Sequence, residues 1–302
     1  MDAEATAIKI NNLSKRYASS EHLALNKLSL AVKPGEVYGF LGANGAGKST
    51  TIRTLLNFIQ PTSGSATICG LDIVKDSVAV KKHVGYLAGE VALYPKMTGR
   101  QFLNYMSDLQ PASNANNLNK LVKRLTANLS RPIHELSKGN RQKLGLIQAF
   151  MHQPDVLILD EPTSGLDPLM QEQFFEMVNE AKSRGAAIFV SSHNFAEVQR
   201  MCDRVGFLHA GELVVEKTLE DLATKAAHTL KLTFADTAPV AELKRLPRVK
   251  VTSHDAHHLS VSLEGELTPL FKVLARHHVT RLEQQEVNLE EEFLHLYQKG
   301  GQ

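Results

Sequence analysis

Residues Gly42–Ser49 read GANGAGKS and form the most specific pattern in this sequence. It fits the pattern G-x-x-x-x-G-K-[ST], in which glycines let backbone N–H groups turn inward around an anion. The apolar run Val37–Leu41 precedes it, and the segment Thr51–Gln60 that follows repeats apolar residues with the spacing of one helix face. A glycine-rich loop between a strand and a helix predicts a phosphate-binding loop.

The residue types of this loop indicate how it would hold a nucleotide. Lys48 is expected to reach the β- and γ-phosphates, and the Ser49 hydroxyl is expected to bind Mg²⁺. The helix that follows points the positive end of its dipole at the same phosphates. The other residues predicted to bind the phosphates are Gly42, Ala43, Asn44, Gly45, Ala46, Gly47 and Thr50.

Two carboxylates follow a second apolar run. Val156–Leu159 has the continuous apolar character of a strand buried on both faces of a parallel sheet, and Asp160 and Glu161 come directly after it. In a chain with a phosphate-binding loop, Asp160 is expected to organise Mg²⁺, and Glu161 to orient or deprotonate the attacking water. An acidic turn before Pro162 is the simpler alternative, but it does not explain two adjacent acids after four apolar residues.

A histidine ends the next apolar run, AAIFVSSH, at His193. Ligands of open parallel sheets gather beyond the carboxyl ends of the strands, so Lys48, Asp160 and His193 are expected to meet at one edge. A lone histidine is more often structural, but this position favours a functional role. Strands that alternate with helices predict an α/β fold with a parallel sheet.

The bulk composition limits the classes of function. Lys and Arg number 34 against 32 Asp and Glu, which argues against nucleic acid as the main partner. The first ten residues lack the basic start and apolar core of a signal peptide, and no run approaches the 18 apolar residues of a membrane span. A role at a membrane would therefore need another chain to supply the spans.

Residues 90–135 are predicted to form a helical insert. Thr98 and Gln101 resemble a capping box, and Phe102, Tyr105, Met106 and Leu109 form an apolar stripe interpreted as core packing. A second stripe comprises Leu118, Leu121, Val122 and Leu125. Later in the chain, Asp167 before Pro168 and Asn194 are predicted helix caps.

The pattern changes near residue 216, where short alternating apolar runs replace the long ones. The segments from residue 229 onward are predicted in the order strand, helix, strand, strand, helix, strand, helix, which resembles a ferredoxin-like unit. Thr268–His278 and Leu289–Gln298 are its longer predicted helices. We therefore predict domains at residues 1–215 and 216–302, the second a small α+β accessory or regulatory domain.

The cysteines and clustered histidines match no metal-site spacing. Cys69 and Cys202 stand far apart in sequence and are predicted to be buried small hydrophobes in a reducing compartment. His254, His257, His258, His277 and His278 are better interpreted as solvated loop residues than as metal ligands.

The segment Leu136–Lys143, LSKGNRQK, resembles the LSGGQ signature of ABC ATPases. Gly42–Thr50 then resembles the family's Walker A motif and Leu157–Glu161 its Walker B motif, while Ser164–Asp167 matches the D-loop and His193 the H-loop. The motifs occur in family order over about residues 8–215. Tyr17 matches the aromatic residue that stacks on adenine.

This resemblance implies an ATP-hydrolysing subunit with the P-loop NTPase fold of an ABC ATPase, with ATP and Mg²⁺ as its ligands. Glu161 would be the general base and His193 would contact the γ-phosphate, whereas Ser137 and Gly139 would act across a head-to-tail pair of subunits. Asp167 of the D-loop would be a further nucleotide-binding residue. The partner would be a second copy or a paralogue. The helical insert would contact a separate permease.

The family resemblance also indicates the class of transporter. The text around Gly85–Met106 and the terminal LEEEFLHLY resemble ATPase subunits of exporters for drugs, antibiotics or lipids, which act on the cytoplasmic face of the cell membrane. A soluble ABC-type ATPase without a permease, acting in assembly or regulation, is the alternative. A single cassette without long coiled coils argues against translation-type and chromosome-type members.

The loop after Val84–Leu87 departs from the family pattern. The family's glutamine, which reaches Mg²⁺ and the attacking water, aligns with Gly89, and glycine can make neither contact. Three alternatives remain: Glu90 or a water fills the role, the site hydrolyses slowly, or a paralogous partner supplies the competent site.

Overall fold

The computed structural model describes residues 6–18, 21–110, 115–225, 228–263 and 266–285. The chain divides into two compact units, residues 1–216 and 217–302. Within the described ranges, every helix is too short or too polar to span a lipid bilayer.

The centre of the first unit is a six-stranded sheet whose parallel strands are the apolar runs of the sequence. The strands are β3 (Val37–Leu41), β6 (Val84–Leu87), β7 (Val156–Asp160), β8 (Ala187–Ser192), β9 (Arg204–His209) and β10 (Glu212–Thr218). Their order is β10-β9-β3-β8-β7-β6, and β3, β8, β7 and β6 run parallel. Every residue of β3, β7 and β8 is buried, as the continuous apolar pattern predicts.

A second sheet of four strands packs in the same unit. It comprises β1 (Ile8–Arg16), β2 (Leu23–Val32), β4 (Ser63–Ile68) and β5 (Leu71–Asp72), in the order β2-β1-β4-β5 with antiparallel pairs. Its apolar face shares one core with the first sheet, in which Tyr38 and Phe40 contact Phe189. This core fixes the strand ends that carry the polar residues.

The first unit contains helices both with and without a predicted start signal. They are α1 (Lys48–Leu55), α2 (Ser77–His83), α3 (Gly99–Leu109), α4 (Ala115–Arg124), α5 (Lys138–Phe150), α6 (Pro168–Ser183) and α7 (Phe195–Met201), with a 3₁₀ turn at Ile133–Glu135. Thr98 and Gln101 form the predicted capping box. Asp167 caps α6 ahead of Pro168, and Asn194 caps α7.

The predicted stripe on α3 is only partly a core face. Phe102 is buried, but Tyr105 and Leu109 are 40% and 59% exposed. The interpretation of the whole stripe as core packing was therefore wrong, because an amphipathic pattern does not say what covers it. Leu121 on α4 and Leu125 directly after it are buried as predicted.

The second unit has the ferredoxin-like topology that the alternating pattern predicts. Its elements are α8 (Leu219–Lys225), β11 (His228–Phe234), α9 (Val240–Leu243), β12 (Val249–His254), β13 (His258–Leu263), α10 (Thr268–Leu274) and β14 (Val279–Gln285). The sheet order is β12-β13-β11-β14, and all neighbours are antiparallel. Helix α10 ends earlier than the predicted Thr268–His278, and the predicted helix Leu289–Gln298 lies outside the described residues.

Candidate active site

The carboxyl ends of the parallel strands surround one cavity of 510 Å³. The loop after β3, the tip of β6, and the residues that end or follow β7 and β8 all contribute to its wall, as expected for a parallel sheet. The lining residues are Ala24, Ala43, Asn44, Gly45, Gly47, Lys48, Ser49, Thr50, Arg53, Tyr86, Ala88, Gly89, Glu90, Asp160, Glu161, Ser164 and His193.

The loop Gly42–Ser49 has the backbone of an anion-binding turn. Gly45 and Gly47 adopt φ values of 83° and 115°, which residues other than glycine rarely adopt. A Cβ at Gly47 would also lie 2.7 Å from the Ala24 carbonyl oxygen. Gly42 and Ala46 lie behind the cavity wall, where a Cβ at Gly42 would be 2.6 Å from the Leu208 carbonyl oxygen. These glycines let the chain turn directly into α1.

Lys48 is a buried cation of the cavity and is 7% exposed. Its Nζ donates to the Gly42 carbonyl at 2.6 Å and lies 3.9 Å from Glu161 Oε1. Burial lowers the pKa of the Lys48 ammonium, although the nearby Glu161 and Asp160 carboxylates oppose this. The cavity thus presents a positive charge that is held by carbonyl oxygens at the base of the loop.

Asp160 and Ser49 supply neighbouring oxygens on the opposite side of the loop. The Ser49 hydroxyl donates to Asp160 Oδ2 at 3.1 Å, and the Ser191 hydroxyl donates to Asp160 Oδ1. A hydroxyl and a carboxylate are the hard oxygen donors that Mg²⁺ prefers, so these residues fit the expected ion. Ser191 is fully buried and was not predicted. The sequence feature that could have identified Ser191 is the polar pair Ser191 and Ser192 in an otherwise apolar strand.

Glu161 and His193 meet at the rim. His193 Nδ1 lies 2.8 Å from Glu161 Oε2. Glu161 has a φ of 48°, an unusual backbone conformation, and its side chain lines the cavity. Gln142 Nε2 donates to the Pro162 carbonyl at 3.0 Å and so holds the turn that follows Glu161. Like the contact of Ser191, this one was not predicted from the sequence.

Tyr17 lies beside the loop rather than among the residues that line the cavity. It is half-buried, and its hydroxyl lies 3.3 Å from Thr50 Oγ1 at the start of α1. Lys15 Nζ lies 5.6 Å from its ring. Its expected contact with adenine stays a prediction.

The signature residues also lie outside the residues that line the cavity. Ser137 caps α5, and its hydroxyl accepts from the Asn140 backbone N–H at 3.3 Å. A Cβ at Gly139 would lie 2.8 Å from the Gly165 carbonyl oxygen, so this glycine permits close approach of the D-loop. Lys138 Nζ donates to Ser164, which does line the cavity.

The loop after β6 faces Asp160, the carboxylate that is expected to bind Mg²⁺. A Cβ added to Gly89 would lie 3.4 Å from Asp160 Oδ2, and both Gly89 and Glu90 line the cavity. The family's glutamine position thus faces Asp160, although this chain has no side chain there. Arg53 and Tyr86 also line the cavity and were not predicted; Arg53 lies one helical turn after Ser49.

An apolar groove of 470 Å³ adjoins this cavity on the side of the helical insert. Tyr86 and Ala88 line both spaces. Tyr94 stands at the groove with its ring 5.7 Å from Tyr105 in an edge-on arrangement. The remaining lining residues are Leu87, Val91, Ala92, Leu93, Pro95, Phe102, Met106, Gly145 and Gln148.

Comparison with known proteins agrees with this geometry. A model of the ABC transporter family matches residues 25–164. The probable multidrug ABC transporter ATP-binding protein YbhF of Escherichia coli (strain K12) is 35% identical over 228 residues, which are 74% of this chain but only 39% of YbhF. The linearmycin resistance ATP-binding protein LnrL of Bacillus subtilis (strain 168) is 30% identical over 96% of this chain and 97% of its own length. A solved structure of the ATP binding subunit of an ABC transporter is 31% identical, with a TM-score of 0.68, and covers 72% of this chain and 92% of that chain.

Proposed function

Because the chain belongs to the ABC transporter family of ATP-binding proteins, we propose that it hydrolyses ATP to power a separate membrane permease. The observation that carries this proposal is the convergence of Lys48, Ser49, Asp160, Glu161 and His193 on one cavity. This set supplies a cation for phosphates, oxygens for Mg²⁺ and a carboxylate for water, which are the parts that phosphoryl transfer to water requires.

The loop Gly42–Thr50 would hold the phosphates through its inward backbone N–H groups. Lys48 would exchange its carbonyl contacts for oxygens of the β- and γ-phosphates. Ser49 and Asp160 would hold Mg²⁺, which would neutralise charge on the same phosphates. Ser191 would keep Asp160 aimed at that position through the other carboxylate oxygen.

Glu161 would act as the general base. Its carboxylate would take a proton from water as the water oxygen attacks the γ-phosphorus, and the bond to the ADP oxygen would break. His193 holds this carboxylate at 2.8 Å and would contact the γ-phosphate when ATP is bound. Tyr17 would stack on adenine beside Thr50.

A second ATPase subunit would complete the site. Ser137 and Gly139 lie at the start of α5 and do not line this chain's own cavity, which supports a role on ATP held by another subunit. In a head-to-tail pair, each subunit would bring this segment and Asp167 to its partner's ATP. The partner is a second copy or a paralogue.

The apolar groove beside the helical insert would receive the permease. Tyr94 lines the groove and is 50% exposed, and its ring packs against Tyr105, which is 40% exposed. Tyr86 and Ala88 line both the groove and the ATP cavity. We propose an apolar helical segment of the permease as the occupant. The protein would then lie at the inner face of the cell membrane without crossing it. The names of YbhF and LnrL support drug or antibiotic export.

The proposal is tested by purifying the chain from membranes and measuring its ATPase rate. A multi-span partner should co-purify, and activity should be lost in Lys48→Ala but kept in Lys9→Ala, which changes an exposed lysine. Full activity of a soluble chain with no membrane partner would favour the alternative, an ABC-type ATPase that acts without a permease. Equal activity of Lys48→Ala would contradict ATP hydrolysis at this site.

A further inference from the structure

Three side chains with metal-binding groups converge in the first unit, away from the residues that line the ATP cavity. One ligand atom from each of Cys69, His83 and Asp155 lies within 4.8 Å of the other two. His83 Nδ1 lies 2.7 Å from Asp155 Oδ2. Cys69 and His83 are half-buried, while Asp155 is exposed. The sequence predicted an isolated, buried thiol at position 69, and the structure corrects this prediction.

The fold fixes the positions of these residues. His83 and Asp155 directly precede β6 and β7, which start side by side because Val84 pairs with Val156. Cys69 follows β4 at the turn, where its backbone N–H donates to the Ala7 carbonyl at 2.8 Å. The buried residues next to the three ligands, Ile68, Val84 and Val156, anchor each of them to the core. Two ligands thus directly precede strands of the six-stranded sheet, with His83 ending α2, and the third directly follows a strand of the antiparallel sheet.

We propose that Cys69, His83 and Asp155 bind Zn²⁺, with water as the fourth ligand. Thiolate, imidazole and carboxylate are the three side-chain groups that zinc takes, usually in a tetrahedron. Tetrahedral zinc places its ligand atoms roughly 3.3 to 3.8 Å apart, given bonds of 2.0 to 2.3 Å. The three ligand atoms lie within 4.8 Å of one another, but His83 Nδ1 and Asp155 Oδ2 are 2.7 Å apart, so zinc binding would move these two atoms apart through side-chain rotation at a half-exposed site.

The charges of the cluster favour a cation. Zinc binds cysteine as the thiolate, so binding would release the Cys69 proton. The divalent ion would then neutralise the Cys69 thiolate and the Asp155 carboxylate together. Cys202 is buried and is not part of this cluster.

The site would join the two sheets of the first unit. Zinc would connect the β4 turn to the starts of β6 and β7, and these two strands end at the ATP cavity. Because the metal binds the folded chain, it should raise the melting temperature in proportion to the logarithm of its concentration. The alternative to a metal site is that His83 and Asp155 are hydrogen-bonded only to each other and the Cys69 thiol has no role.

Cobalt provides the test, since Co²⁺ replaces Zn²⁺ and reports bound thiolate by a charge-transfer band in the near ultraviolet. The full-length chain, without nucleotide, should bind one equivalent of Co²⁺ with this band, and Zn²⁺ should abolish it. The sequence contains only two cysteines, so the variants assign the sulfur without ambiguity. Cys202→Ala should keep the band and Cys69→Ser should lose it.

Two further variants cover the case in which Cys69→Ser does not fold. His83→Gln and Asp155→Asn keep both cysteines and should weaken metal affinity by more than about tenfold, since even outer-shell partners of metal ligands contribute that much. Absence of the band in the unmodified chain would overturn the proposal. So would a band that survives in Cys69→Ser, or an unchanged affinity in both His83→Gln and Asp155→Asn.

Discussion

His193, which follows β8, holds Glu161, which follows β7, with Nδ1 and Oε2 2.8 Å apart. The contact keeps the carboxylate in the cavity, 3.9 Å from the Lys48 ammonium. The proposed base is therefore positioned by a neighbouring strand before any nucleotide arrives.

Replacement of Glu161 by Gln should abolish turnover and keep ATP binding. The amide preserves the shape of the side chain but cannot take a proton, so the ATPase rate should fall by about 10²-fold or more. Dimers should accumulate with ATP, as measured by size-exclusion chromatography. Glu197→Gln, which changes an acid on α7, is the control. Normal turnover in Glu161→Gln would exclude Glu161 as the base.

Removal of the Ser191 hydroxyl should weaken Mg²⁺ binding. Ser191→Ala leaves Asp160 Oδ1 without its donor, so the Mg²⁺ concentration for half-maximal ATPase activity should rise about tenfold, as for outer-shell partners of other metal ligands. Ser192→Ala is the matched control, because Ser192 Oγ lies 3.3 Å from Glu197 instead. Identical Mg²⁺ titrations of the two variants would show that Ser191 has no positioning role.

A glutamine at position 89 should raise the ATPase rate. A Cβ there lies 3.4 Å from Asp160 Oδ2, so the amide of Gly89→Gln can reach Mg²⁺ and the attacking water. One added hydrogen bond of roughly 1.4 kcal/mol corresponds to a gain of up to about tenfold. Glu90→Ala should lower the rate if Glu90 now fills this role. If both variants match the unmodified chain in rate and Mg²⁺ dependence, the loop has only a mechanical role.

A charge in the apolar groove should separate the ATPase from its membrane partner. Met106→Glu places a carboxylate among the groove residues, so recovery of the permease in co-purification should fall by more than about tenfold, given the cost of burying an unpaired charge. ATPase activity of the isolated chain should not change. Leu109→Glu, on the same helix but outside the groove lining, is the control. Equal recovery with both variants would place the permease contact elsewhere.

His152 should make the first unit less stable in mild acid. This residue is 5% exposed, and burial lowers its pKa below the ordinary 6.5, with partial opposition from the backbone of Val84. The unfolded chain then binds more protons than the folded chain, so the free energy of unfolding falls as the pH drops through 6.5, by up to about 1.4 kcal/mol per unit.

Denaturant titrations between pH 7.5 and pH 5.5 measure this effect. His152→Met removes the titrating group and should flatten the dependence. His134→Gln, which changes an exposed histidine, should keep it. A pH slope that is equal in His152→Met and the unmodified chain would assign the acid sensitivity to other groups.

The strand ends of the cavity were predictable because their signals are local. The glycine pattern of Gly42–Ser49 and the apolar run before Asp160 each specify an element and its polar end. The contact between Asp160 and Ser191 was not predictable, because it depends on the register in which β7 pairs with β8. No spacing within one segment encodes that register.

Elsewhere in the chain, too, patterns within one segment were predictable, whereas contacts between distant segments were not. The ferredoxin-like sheet follows from alternation within each strand and from element order. Cys69, His83 and Asp155 come from three distant segments, and only the packing of two sheets brings them together. The exposure of Tyr105 was missed for a related reason, since periodicity identifies an apolar face but not its partner.

Tyr86 and Ala88 line both the cavity proposed to bind nucleotide and the apolar groove. If the state of the γ-phosphate alters affinity at the groove by some factor, thermodynamic reciprocity requires that occupation of the groove alters ATP affinity by the same factor. A short peptide that fills the groove should therefore act as an effector of nucleotide binding in the isolated subunit, with no lipid or transported compound present.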